Sequence, residues 1–476
     1  MSRQLLRASL LFGSNTFVSR LLGFARDMII AQLFGADASL DAFLVAFRIP
    51  SFMRRLFAEG AFSQAFIPTL AHCRQAQSEQ GVRRLISEVS GALSLFLLLL
   101  SIIGIVIAPL VIAVFAPGFA LHHHNGQYLL AYQMLRITFP YILFISLTAL
   151  AAAILNSYNQ FGIPSFTPCL LNLSLIAAAL LLSPHLMVPV KALAWGLLIA
   201  GMVQLLFLLP FLKRKNLLVM PRWNLQSEGV KEIIRLMLPA LFAASVTQIN
   251  LLLDTLFASF LPTGSVAWLY YSERLMMFPL GIIGVAIATV VLPSLSRSVA
   301  EKGQQRYSAT LDWALRILLL LGLPATIGLL ILAGPLLSTL FQYNAFHSHD
   351  VLMARQSLMA FALGLQSFML IKVLSSAFYA HKNMKLPVKL AVVGTILNIL
   401  LNLLFIVPLK HGGIALATSL SGIVNSALLL YSLKKHQLYQ PGKGWIGYLI
   451  RLIIANVIMA VFLIFISGNT QHWLQQ

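Results

Sequence analysis

The chain has 476 residues, of which 59% are apolar and only 10% charged, and its mean hydropathy is +0.87. Soluble domains keep about 25% charged residues, so these figures exclude a soluble globular domain and predict an all-α integral membrane protein. The formal net charge of +20 does not mark a nucleic-acid binder, because the basic residues recur in short connections instead of forming one patch or arm.

Windows of about 20 apolar residues predict about thirteen helices, beginning with 9–35 and 41–70. These two hold Arg20, Arg26, Arg48, Arg54 and Arg55. One arginine at a helix centre costs roughly 2.5–3.5 kcal/mol to insert, so the group predicts a wet, cationic cavity. Arg20, Gly23 and Asp27 share a face by spacing, with Arg26 about a third of a turn away. Arg48, Phe52, Arg55 and Glu59 align only if the second helix stays straight through Pro50. The plainer reading is that Arg26–Asp27 and Arg54/Arg55–Glu59 are internal ion pairs, or that the arginines snorkel to the interface. Arginines outnumber the nearby acids, however, and the planar fork of arginine suits phosphate oxygens. A phosphate-bearing ligand is the expectation.

The next helices are predicted at 89–116, 129–156, 165–183 and 190–212. His122, His123 and His124 fall between two of them, beside Asn125 and Gly126, where a solvated loop is a better reading than a metal site. A basic stretch from Lys213 to Arg235 follows. Helices are then predicted at 233–261, 266–296, 312–341, 355–380, 387–408, 412–433 and 446–467. Alternate connections carry the basic residues, from Arg74, Arg83 and Arg84 to Lys434, Lys435 and Lys443. This bias predicts a cytoplasmic N-terminus. The first apolar segment is too long, and too rich in arginine, for a cleaved signal peptide.

The chain reads as duplicated. Ala42–Pro68 and Ala267–Pro293 match at an offset of 225, while Pro164/Pro387 and Ala192-Leu193-Ala194/Ala415-Leu416-Ala417 match at 223. Six helices per repeat preserve topology, so the expectation is two six-helix lobes, as parallel repeats around a central cavity, plus one further C-terminal helix. The corresponding domains are 1–215, a cytoplasmic linker at 216–232, 233–435, and 436–476.

No phosphate loop, HExxH or spaced Cys/His set is present, and Cys73 and Cys169 are the two cysteines. An enzyme is therefore not expected. The second polar group is Asp254, with Asn398 and Asn402 at i, i+4 and Thr418 on the next helix. These oxygens suit a coupling ion, Na+ or H+. The asparagines and Thr418 suit interhelical hydrogen bonding equally well, whereas an intramembrane acid such as Asp254 favours function.

Ser19-Arg20-Leu21-Leu22-Gly23-Phe24-Ala25-Arg26-Asp27 resembles the opening of the MurJ/MviN-type lipid II flippases, and Asp41-Ala42-Phe43 to Arg54-Arg55-Leu56-Phe57-Ala58-Glu59-Gly60 resembles their second helix. Trp268, Tyr270, Tyr271, Arg274-Leu275-Met276 and Pro387-Val388-Lys389 extend the likeness over most of residues 9–435. The resemblance implies the fold of the multidrug/oligosaccharidyl-lipid/polysaccharide exporter superfamily in a bacterial inner membrane. It also implies an undecaprenyl-diphosphate-linked peptidoglycan precursor, moved from the inner to the outer leaflet by alternating access. Arg20, Arg26, Arg54 and Arg274 match the family's cavity arginines, and Asp41 and Glu59 its acidic positions. Asp27, Asp41 and Glu59 are then gating residues or charge partners.

Ser51 and Met277 stand where relatives often carry Asn and Glu. One helix, rather than the family's usual two, follows the twelfth, which implies a shallower lipid-tail groove or a shortened chain. No cofactor is expected beyond a coupling ion. The expected partners are the lipid-linked precursor and membrane lipids, with cell-wall synthesis enzymes as further candidates. A flippase for another polysaccharide lipid, or a non-transporting scaffold for cell-wall enzymes, is the alternative reading.

Overall fold

The computed structural model describes residues 3–55, 62–76, 79–121, 126–224, 226–301, 303–468 and 473. Side chains are described at all of these except 3–10, 12, 63–64, 76, 239–240 and 242–248. Among the described residues the regular structure is helical throughout, and nine helices are long and apolar enough to cross a membrane. The chain forms two compact units, Met1–Leu256 and Phe257–Gln476. Helix Glu228–Ala258 lies in the first unit as far as Leu256.

Where the observed helices depart from the apolar windows, proline is usually the cause. The window 129–156 is divided into Gln127–Thr138 and Tyr141–Ser157 around Pro140, which has no N–H to continue the ladder. Gln304–Ile331 gives way to Ala333–Phe341, whose Pro335 is incompatible with an unbroken preceding turn. The expected helix 41–70 is described over Ala38–Arg54, which contains Pro50, and over Phe62–Ala76, and residues 56–61 lie outside the described residues. Helix Glu79–Val106 begins ten residues before its predicted start at 89, because polar residues from Glu79 to Glu88 extend it beyond the apolar window.

Helix Lys385–Lys435 folds back on itself. Asn398 donates to Thr418 Oγ1 at 3.1 Å across 20 residues, which a straight helix would hold about 30 Å apart. The reversal is at Lys410, whose φ of 49° and ψ of −130° are non-helical. A Cβ at Gly413 would strike the Phe405 carbonyl, so the tight return needs glycine there. The predicted pair 387–408 and 412–433 is thus one antiparallel hairpin.

In the first unit, Phe66, Leu70, Leu85, Ile154 and Leu212 belong to one buried cluster, and Val230 and Ile233 of helix Glu228–Ala258 join it. The connection after Arg214 is strapped to helix Glu79–Val106. Arg222 N–H donates to the Ser87 carbonyl at 3.0 Å, and Ser87 Oγ donates to the Met220 carbonyl at 2.5 Å. Glu88 accepts from Ser227 Oγ at 2.5 Å and Asn224 Nδ2 at 3.2 Å. Gly91 admits the Arg222 backbone, which any Cβ would displace.

In the second unit, Asp312 fastens the chain that leads into the last helix, Trp445–Ser467. Its Oδ1 accepts from Tyr439 OH at 2.7 Å, Trp445 Nε1 at 2.6 Å and Gly442 N–H at 3.2 Å, and its Oδ2 pairs with Arg316 at 3.0 Å. Burial and the adjacent carboxylate push the Tyr439 phenol up, which keeps it a donor. Beyond this clamp the helix buries only Leu452 and Asn456. Its many exposed isoleucines and phenylalanines form an apolar surface suited to lipid rather than water.

Close packing between helices depends on small residues. A Cβ at Gly364 would lie 2.7 Å from Ser419 Cα, whereas one at Gly447 meets nothing within 4 Å. Gly364→Ala should therefore destabilise the protein by about 1–3 kcal/mol, seen as a lower melting temperature in detergent. Gly447→Ala should be neutral or slightly stabilising, and equal losses in both would contradict this account.

Candidate functional site

The N-terminal arginines have separate environments. Arg26 and Asp27 are only 5% and 2% exposed, and Arg26 reaches round to its neighbour, with Nη2 at 2.6 Å and Nε at 3.0 Å from Asp27 Oδ1. Adjacent helix positions do not normally face each other, but the length of arginine closes the gap. Arg26 Nη1 also donates to Asn172 Oδ1 at 3.1 Å, while Asn172 Nδ2 donates to the Ser19 carbonyl at 2.9 Å. A Cβ at Gly23 would sit 3.4 Å from that amide, so glycine leaves it room. The pair thus ties helix Arg3–Phe34 to helix Thr167–Ala177.

Arg20, on the same first helix, is exposed. Arg48 donates to Thr255 Oγ1 and, at 3.2 Å, to the Leu251 carbonyl, linking Ala38–Arg54 to Glu228–Ala258. Asp41 is buried in the first turn of Ala38–Arg54, behind the capping Asp37, whose Oδ1 accepts from Leu40 N–H at 2.8 Å. A carboxylate there is favoured by the helix dipole. Glu59 lies outside the described residues, as do His122, His123 and His124.

Arg54 ends its helix at a cavity of about 290 Å³ within the first unit. The polar residues around this space are Tyr141, Thr148, Asn156, Thr167 and Gln204. Thr148 Oγ1 donates to the Phe144 carbonyl at 2.8 Å and Thr167 Oγ1 to the Pro164 carbonyl at 2.9 Å. Gln204, 2% exposed, donates through Nε2 to the Thr167 carbonyl at 2.8 Å, and its Oε1 has no hydrogen-bond partner. Neither Gln204 nor Asn172 belongs to a recognisable sequence motif. Gln204 carried a usable signal, as the one amide in the apolar run 192–212.

In the second unit Arg274 donates to Tyr270 OH at 3.1 Å and lies 5.0 Å from that ring's centroid, one turn away on the same helix. Asn402 Nδ2 donates to Asn398 Oδ1 at 3.1 Å, and Asn398 Nδ2 to Thr418 Oγ1 at 3.1 Å, so these three predicted residues meet. Asp254, the fourth of that group, belongs to the first unit. Among the described residues no cluster of three or more His, Cys, Asp or Glu could hold a metal ion. Cys73 and Cys169 are buried thiols outside any disulfide.

A family model described as lipid II flippase MurJ matches residues 30–476. The probable lipid II flippase MurJ of Vibrio cholerae is 43% identical over 100% of this chain and 91% of its own length. The lipid II flippase MurJ of Burkholderia cenocepacia is also 43% identical, over 98% and 90% of the two chains. A solved structure of lipid II flippase MurJ in an inward closed conformation superposes with a TM-score of 0.84 at 30% identity, covering 98% of this chain and 95% of that one. An inward-facing multidrug resistance transporter of the MATE family, at 15% identity and a TM-score of 0.74 over 90% and 98% of the chains, shares the fold.

Removing Arg26 would leave the Asp27 carboxylate buried without its main counter-charge. Arg26→Ala should cost about 3–5 kcal/mol and lower the melting temperature of the purified protein. Exposed Arg20→Ala should stay within about 0.5 kcal/mol of the parent. Comparable stability of the two variants would refute the structural role of the pair.

Proposed function

Because the chain belongs to the lipid II flippase MurJ family, we propose that it moves lipid II from the inner to the outer leaflet by alternating access, for peptidoglycan assembly. The observation that carries this is the identity to such flippases over essentially the whole chain. The protein is a multi-pass membrane protein. The family supports a bacterial inner membrane, and the basic connections support a cytoplasmic N-terminus.

Within this reading, Arg54 and the exposed Arg20 take the diphosphate, because guanidinium offers phosphate two parallel, charge-assisted hydrogen bonds. In the second unit, Arg274 beside Tyr270 is the candidate arginine for phosphate. Arg26 already has a carboxylate, so it contributes by holding the Arg20 helix and exchanges Asp27 for phosphate only if the pair opens. Asp41 and Glu59 serve in gating. Asn398, Asn402 and Thr418 form a neutral oxygen cluster suited to a monovalent coupling ion, with Asp254 as a separate acidic group. The protein transports its lipid rather than transforming it, so no catalytic residue is assigned. Cell-wall synthesis enzymes are its proposed protein partners.

Growth of cells depleted of their own lipid II flippase tests the reading. The parent chain should restore growth, and Arg54→Ala and Arg274→Ala, inserted at equal levels, should not. Rescue by both variants would remove the arginine site. Failure of the correctly inserted parent would overturn the assignment of substrate.

A further inference from the structure

The cavity beside Arg54 has a chemical polarity that a phosphate site alone does not need. At one side stands the Arg54 guanidinium, which can only donate. Elsewhere the wall is arranged the other way. The hydroxyl protons of Thr148 and Thr167 are committed to the carbonyls of Phe144 and Pro164, which leaves oxygen lone pairs. The Gln204 amide nitrogen is committed to the Thr167 carbonyl, and its Oε1, on a side chain 2% exposed, receives no hydrogen bond from the protein. Three side chains of the wall thus offer acceptors, and one of them is an orphan inside the bundle.

A ligand that completes this wall must bring O–H or N–H groups. A phosphate brings only acceptors at neutral pH, and a polyprenyl chain brings neither donors nor acceptors. A saccharide linked to a diphosphate brings both kinds of group, with phosphate oxygens for Arg54 and hydroxyl or acetamido donors for Gln204, Thr148 and Thr167. Ile145, Ala149 and Leu171 add apolar surface for the C–H face of a sugar ring. From these observations we propose that the cavity is the saccharide subsite of the lipid-linked substrate, with Gln204 as a specificity-determining residue. The assignment rests on the reading of the substrate as a lipid-linked diphosphate saccharide.

The test is binding to the purified full chain in lipid nanodiscs. Two probes separate the sources of affinity, lipid II and undecaprenyl diphosphate without saccharide. The parent should bind lipid II more tightly. Gln204→Leu should weaken lipid II about three- to tenfold, the worth of one hydrogen bond, and leave the bare diphosphate unchanged. The substitution also removes the Gln204–Thr167 hydrogen bond, so the unchanged affinity for the bare diphosphate is what separates lost recognition from a general loss of structure. Arg54→Ala should weaken both lipids. If Gln204→Leu fails to fold, Thr148→Val carries the same comparison. Equal weakening of both probes, or of neither, would overturn the subsite, as would a parent that does not distinguish them. A parent that binds neither lipid would instead overturn the functional reading beneath it.

Discussion

A guanidinium among apolar helices must find an oxygen, a carboxylate or a ring face, because neither lipid nor packed side chains solvate it. This requirement sorts the arginines that the sequence places together. Arg26 spends its charge on Asp27 and two of its nitrogens bind that carboxylate. Arg48 uses a hydroxyl and a carbonyl of helix Glu228–Ala258. Arg274 lies against Tyr270. Arg54 borders a cavity, and Arg20 is exposed. The first group builds the scaffold, and the last two are the ones proposed to meet the anionic head group.

Scaffold and site depend on each other because little hydrophobic force holds helices together in lipid. Close approach of small residues supplies contact instead, as at Gly364 against Ser419, or Gly201, where a Cβ would lie 2.8 Å from the Tyr141 ring. Tyr141 is also part of the cavity wall, so that packing helps set the shape of the site. Polar clamps outside the apolar spans do the rest. Glu88 holds the chain after Arg214 to the first unit, and Asp312 holds the start of the last helix to the second. Such clamps let long exposed apolar helices stay in register while their outer faces meet lipid.

Much of this was legible in the residues. Apolar length located the spans, including the pair 387–408 and 412–433 that the return at Lys410 joins. Asn398 and Asn402 were placed on one face by their spacing, and Thr418 joins them because the hairpin brings it back alongside. Legibility failed where a long side chain or backbone contact decides the outcome. The face arithmetic set Arg26 apart from Asp27, and it is the plainer reading of an internal ion pair that holds, because a flexible guanidinium crosses that angle. The strap at Met220, Arg222 and Ser227 uses backbone groups and small hydroxyls that carry no sequence period. Gln204 was a lone amide whose meaning appears only beside Thr167 and the cavity.

The central claim is that Arg54 captures an anionic lipid head group while the Arg26–Asp27 pair mainly holds the fold. Transbilayer movement of fluorescent lipid II by purified protein in liposomes tests it most directly, with Arg54→Ala compared at equal incorporation. The account predicts movement by the parent and a loss of about tenfold or more in the variant, since a charge-assisted hydrogen bond is worth about 1.5–3 kcal/mol. Movement at the parental rate by Arg54→Ala would contradict it.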